Sequence, residues 1–173
     1  MEIGDIAKYN IQKGNVYTEE EYLRLVENLQ YERAKAAAIR YISYSPRTSK
    51  ETIDKLHSLE FEATIIDKAM DFLDKYNYVN DLEYAEAYIR SRIKERRYGS
   101  RKISYELQTK GIGSDISEPI LEKYEEDEYE AAMYLYNKRT KGEHINDYKE
   151  QGKIIRYLQS RGYTYTIIER VIQ

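Results

Sequence analysis

The sequence predicts an all-α protein: a tandem array of three three-helix, helix-turn-helix-like repeats behind an N-terminal lead-in helix. Self-similarity is the first reason. Laid above one another, "KLHSLEFEATIIDKA" (55–69), "ELQTKGIGSDISEPI" (106–120) and "YLQSRGYTYTIIERV" (157–171) align Leu56, Leu107 and Leu158 at one 51-residue interval. In the same register stand Phe61, Ile112 and Tyr163, then Ile65, Ile116 and Ile167, then Ala69, Ile120 and Val171. A fixed period of this length marks stacked supersecondary units. Composition is the second reason: 34% charged and 41% hydrophobic residues with two prolines favour solvated helices over a sandwich or barrel. Helical spacing with stop and start signals is the third.

Taken in order, "YTEEEYLRLVENL" (17–29) gives the lead-in helix. Thr18 is its cap, glutamates fill its first turn, and Tyr22, Leu25, Val26 and Leu29 share one face. Residues 1–16 are weakly patterned. The first helices of the repeats are expected at Tyr31–Tyr44, Leu82–Arg97 and Glu128–Lys138. Ala34, Ala38 and Ile42 recur there as Ala85, Ile89 and Ile93. Thr48 and Glu51 in "TSKE" form a capping-box pattern that opens a second helix. Second helices are expected to end near Leu59, Lys110 and Arg161. Gly111 and Gly162 suit the left-handed residue that closes them, and Glu60 takes that place at greater cost. Third helices are expected at Ala63–Tyr76, Asp115–Tyr124 and Thr166–Gln173, with Pro119 in or near a first turn, where its missing N–H matters least; a start as early as Ser114 would make Pro119 a mild strain. About five extra residues around "KGEHINDYKE" read as a longer loop in the third repeat. The resulting segments are 1–30, 31–80, 81–126 and 127–173. Such an array is expected to present an extended surface suited to a macromolecular partner.

Several function classes lack their residues. With no Cys there is neither a disulfide nor a thiolate metal site, and no stretch approaches the length of a membrane span. A cytoplasmic location without membrane contact is expected. His57 and His144 are far apart, without a carboxylate or second His at i+4. "GIGS" at 111–114 lacks the strand, third glycine and lysine of a nucleotide-binding loop, so it reads as a helix stop and restart. No nucleophile elbow or kinase signature occurs. The expectation is a protein that is not an enzyme and takes no cofactor. Twenty tyrosines against two Phe and no Trp suit thin cores, and no function is drawn from them.

Charge is unevenly distributed in a chain of net charge −3. Between Tyr84 and Gly113 stand eight bases and three acids; between Ser114 and Glu130 stand eight acids and Lys123. The basic block comprises Arg90, Arg92, Lys94, Arg96, Arg97, Arg101 and Lys102, with Glu95 the one acid inside it. That leaves too few partners for self-neutralisation, so the block is a candidate for tracking phosphates or binding acids. Thinner counterparts are Arg47 and Lys50 in the first repeat and Lys138, Arg139 and Lys141 in the third.

These residues resemble the RecX family of regulators of the RecA recombinase. "AIRYISYSPRTSKETIDKL" (38–56) is similar to that family's first unit, "YIRSRIKERRYGSRKISYELQTKGI" (88–112) to its second and "IIRYLQSRGYTYTIIERVI" (154–172) to its third. Ser100 departs from the pattern, standing where a Pro is common. Many members also carry a β-rich N-terminal segment, of which "KYNIQKGNVYTEEE" resembles the tail, so a short or truncated form is expected. The resemblance implies three tandem units that lie along the groove of the RecA–single-stranded-DNA filament and limit ATP hydrolysis, filament extension and strand exchange; a monomer is expected. It also implies that the basic block faces this groove, with weak contact to DNA permitted. The alternative is a direct nucleic-acid-binding tandem helix-turn-helix protein.

Overall fold

The computed structural model describes residues 11, 12 and 14–173, and among them every regular element is a helix. The suggested N-terminal tail falls partly outside the described residues. The chain divides after Asn80 into two units.

The first unit holds α1 (Glu19–Ser43), α2 (Ser49–His57) and α3 (Ala63–Lys75). The Thr18 side chain accepts from the Glu21 backbone N–H while Glu21 reaches back to the Thr18 N–H, so a complete capping box starts α1. The lead-in helix and the first helix of the repeat, expected as separate elements, are one helix of 25 residues. Neither Gly nor Pro interrupts Asn28–Arg33, so nothing stops the hydrogen-bond ladder there. The expected lead-in face is only partly covered: Leu29 is buried, Leu25 and Val26 are half-buried, and Tyr22 is exposed. Farther along α1, Ala34 and Ala38 are fully buried and let the backbone approach Leu56, Ile65, Ile66, Ala69 and Leu73 closely. α2 carries its expected capping box between Thr48 and Glu51.

The second unit holds α4 (Asp81–Lys94), α5 (Ser100–Thr109), α6 (Ser114–Glu122), α7 (Glu125–Thr140), α8 (Tyr148–Ser160) and α9 (Tyr165–Ile172). Two cores form, one around Ala85, Ile89, Ile103, Leu107 and Ile112, the other around Ala132, Tyr136, Leu158, Tyr163 and Ile167.

The repeat is a repeat of backbone geometry as much as of side chains. Leu56, Leu107 and Leu158 are all 0% exposed. The carbonyl of each accepts from the N–H five residues on, that of Phe61, Ile112 and Tyr163. The residue before each donor is left-handed: Glu60 at φ 63°, Gly111 at 86° and Gly162 at 88°. A further column, at Thr52, Ile103 and Ile154, was hidden by the threonine in the first copy. The Thr52 hydroxyl donates to the Thr48 carbonyl at 2.9 Å, which satisfies a polar group inside the core.

Several helix boundaries differ from expectation. α4 ends at Lys94 and leaves Arg96 and Arg97 in a turn, because Arg96 takes the left-handed conformation at φ 51°. α7 begins at Glu125, where four acids in its first turn complement the helix dipole. α8 begins at Tyr148 behind an Asp147 cap, so part of the expected longer loop is helix. α6 begins at Ser114, which puts Pro119 beyond the first turn of a nine-residue helix. There the Asp115 carbonyl lacks its i+4 donor.

Candidate partner-binding surface

The turn between α4 and α5 is locked onto the turn between α8 and α9. The N–H of Gly99 donates to the carbonyl of Arg161 at 3.0 Å, and that of Arg101 donates to the carbonyl of Gly162 at 3.0 Å. Such an approach requires glycine on both sides. A Cβ on Gly99 would meet the Tyr163 backbone at 2.5 Å, and one on Gly162 would meet Lys102 Cβ at 2.4 Å. Gly99 has no side chain to cap α5. Glu128, from α7, does so instead: its Oε1 accepts from the Ser100 N–H at 2.9 Å and the Ser100 hydroxyl at 3.1 Å. Ser100 thus supplies two donors where a proline would supply none. Burial holds the Glu128 carboxyl above its usual range, opposed by the Ser100 bonds and aided by nearby Glu125. Burial likewise raises Tyr163, whose hydroxyl has no hydrogen-bond partner among the described residues.

The basic block sorts by partner. Arg92 is half-buried and committed within its own repeat. Its Nη2 donates to Tyr88 Oη at 2.9 Å, its Nη1 lies 3.3 Å from Glu95, and its Nε lies 3.1 Å from Glu106 without aiming its N–H at that oxygen. Tyr88 in turn donates to Glu106 at 2.7 Å, and burial followed by that bond raises its pKa. Arg96 is exposed and touches Glu130 only at 4.0 Å, with Tyr134 6.0 Å from its guanidinium. Arg90, Lys94, Arg97, Arg101 and Lys102 have no carboxylate within ion-pair range among the described residues; the Lys102 ammonium lies over Tyr105. All but Lys102 are exposed. Five cations therefore stand without a carboxylate partner among the described residues, and the α5 end of the block rests on the third repeat. Arg101 also lines a cleft between α5, α6, α7 and α9 that is otherwise acidic, with Glu118, Glu122, Glu125 and Glu128.

The thinner sets fare differently. In the first unit Lys50 pairs with Asp54 at 2.5 Å, and Arg47 lies over Tyr41 with its Nε buried and unsatisfied among the described residues. In the third repeat Lys138 is exposed, Lys141 closes α7 in the left-handed conformation, and Arg139 lies 4.6 Å from the Tyr157 ring centre. Sequence reasoning missed Arg161, which sits beside both Tyr157 and Tyr98. The tyrosine excess was the available signal: ten of the basic side chains described rest on tyrosine rings. His57 and His144 are exposed, and no cluster of metal-ligating side chains occurs among the described residues. No described helix is long and apolar enough to cross a membrane.

Family models of the first, second and third three-helix domains of RecX match residues 34–73, 80–118 and 125–172. The protein named Regulatory protein RecX of Clostridium beijerinckii is 34% identical over 172 residues, covering 97% of this chain and 80% of its own. Its namesake in Clostridioides difficile is 35% identical over 169 residues, covering 96% and 79%. The crystal structure of RecX from Lactobacillus salivarius superposes with a TM-score of 0.75 at 32% identity, over 83% of this chain and 95% of that one. A second crystal structure, of regulatory protein RecX, reaches 0.81 at 22% identity and supports the fold. Three family domains in order over three matching repeats settle the assignment: the chain belongs to the RecX family of regulatory proteins.

Proposed function

We propose that this chain regulates the RecA recombinase by binding along the groove of its filament on single-stranded DNA, and that its main effect is to limit ATP hydrolysis, filament extension and strand exchange. The observation that carries the reading is the set of unpartnered cations around the α4–α5 turn, held on a backbone lock between the second and third repeats. A filament presents phosphates and acidic side chains at regular intervals, and a chain of repeated modules can engage several of them at once, so weak contacts add as avidity. The tie of α5 to the third repeat disfavours the alternative, in which that helix enters a DNA groove as a free recognition helix. The regulator acts by binding, without catalysis or cofactor, as a cytoplasmic monomer.

RecA-driven ATP hydrolysis on single-stranded DNA tests this directly. Addition of the chain should slow hydrolysis, with affinity for the assembled filament at least about tenfold above that for naked DNA. Unchanged hydrolysis, or equal affinities, would overturn the reading.

A further inference from the structure

Cations and rings alternate across the second and third repeats. Arg139, in the last turn of α7, lies 4.6 Å from the centre of the Tyr157 ring on α8. Arg161, just past α8, lies 5.4 Å from the same ring and 5.9 Å from that of Tyr98. Tyr98 precedes Gly99, so the backbone lock that brings Gly99 to Arg161 also aligns Tyr98 with it. Neither arginine has a carboxylate partner among the described residues, although acids crowd 114–130. Arg170 in α9 shows the contrast: it also stacks on a ring, that of Tyr129, but is saturated by Glu125 and Glu126.

We infer that Arg139–Tyr157–Arg161–Tyr98 is a contact track for the phosphodiester backbone of a single nucleic-acid strand, with Arg139 and Arg161 each meeting a phosphate. A guanidinium stacked on a ring is held in orientation and keeps its N–H edge for bidentate bonds to phosphate oxygens. An acidic peptide needs charge alone. A single strand offers charge and flat apolar rings in alternation, and here an exposed Arg139 and a half-buried Arg161 alternate with the half-buried rings of Tyr157 and Tyr98, which pack against the two cores. A duplex reader would insert a helix into the groove, whereas Arg139 and Arg161 sit at the C-terminal ends of their helices. The inference rests on the proposed function for its choice of strand and assigns residues of the third repeat to the nucleic-acid part of the filament.

The test is fluorescence anisotropy of a labelled thirty-nucleotide oligo-dT with the full chain across a series of NaCl concentrations. Each phosphate contact on a single strand contributes about 0.7 to the slope of log affinity against log salt. Arg139→Ala with Arg161→Ala should therefore flatten the slope by about 1.4, and the matching pair of Lys substitutions should restore it. A double Ala variant with the wild-type slope and wild-type circular dichroism overturns the inference. So does a Lys pair that behaves like the Ala pair, or poly-glutamate that displaces the chain as well as unlabelled oligo-dT. ATP hydrolysis by RecA is followed with the same proteins. A chain that slows hydrolysis yet ignores oligo-dT sinks the track and leaves the proposed function standing; one that binds oligo-dT and leaves hydrolysis unchanged does the reverse.

Discussion

Gly162 approaches Lys102 so closely that a methyl group on the glycine would lie 2.4 Å from the lysine Cβ. Gly162 also sits at φ 88°, where an L side chain is strained. Gly142 shares the strain, at φ 80°, but a methyl group there would have nothing within 4 Å. Gly142→Ala should therefore cost about 1–2 kcal/mol from backbone alone, and Gly162→Ala distinctly more. Urea denaturation of both variants checks the order, and equal midpoints would show that the two turns are not interlocked.

Glu128 separates two effects of one carboxylate. Glu128→Ala leaves the Ser100 N–H without its acceptor and should destabilise by about 1–3 kcal/mol. Glu128→Gln keeps an oxygen acceptor and removes the buried charge. Because burial raises the Glu128 pKa above the ordinary 4.5, the folded state holds that proton more tightly than the unfolded one. The stability this gives is fully present below 4.5 and is lost as pH rises through the raised folded value. Relative to wild type, Glu128→Gln should thus be at its best at neutral pH and lose that advantage on acidification towards 4.5. Thermal melts of both proteins over that range read the difference, and a gap that widens with acid contradicts the assignment.

If the chain inhibits RecA as proposed above, substitution of Arg96, Arg97 and Arg101 by Glu should remove most of that inhibition, through lost attraction and new repulsion. Exposed charge changes alter stability by about 0.5 kcal/mol or less each, so circular dichroism should stay as in wild type. Arg92→Ala should do the opposite. Its guanidinium serves Tyr88, Glu95 and Glu106, so stability should fall by about 1 kcal/mol with inhibition retained. A folded triple variant of full potency would reduce the block to a solvated face.

Leu107→Ala should cost about 2–5 kcal/mol, since it empties a site with no solvent exposure beside Ile103 and Ile112. Chemical denaturation measures this, and a loss below about 1 kcal/mol would mean that the column is not the core.

The columns were legible because Leu, Ile and Ala at fixed spacing state both a helix face and its period. The left-handed closures were legible at Gly111 and Gly162 and, less obviously, at Glu60. What the sequence hides is partnership across repeats. Nothing in "RRYGSRK" announces that Gly99 donates to Arg161 or that Glu128, 28 residues from Ser100, caps its helix. Local charge counting also cannot separate Arg92, which is neutralised, from Arg97, which is not, because Glu106 reaches Arg92 only when α5 folds back beside α4. The end of α4 was misplaced for a similar reason: Arg96 is a good helix former by propensity, and the turn overrides it.

The continuity of α1 has a consequence for how the first unit opens. At 1.5 Å per residue its 25 residues span about 37 Å, yet its buried side chains are Leu29, Ala34 and Ala38. The turns from Glu19 to Asn28 are held by the capping box, the Arg24–Glu20 pair and the contact of Glu27 with Lys68, at the rim of the core. An isolated helical stretch of that length is marginal in water. Amide hydrogens along this single helix should therefore exchange with solvent on a gradient, fast near Leu23 and slow near Ala38, so that one end frays on a short timescale while the other waits for the whole unit to unfold.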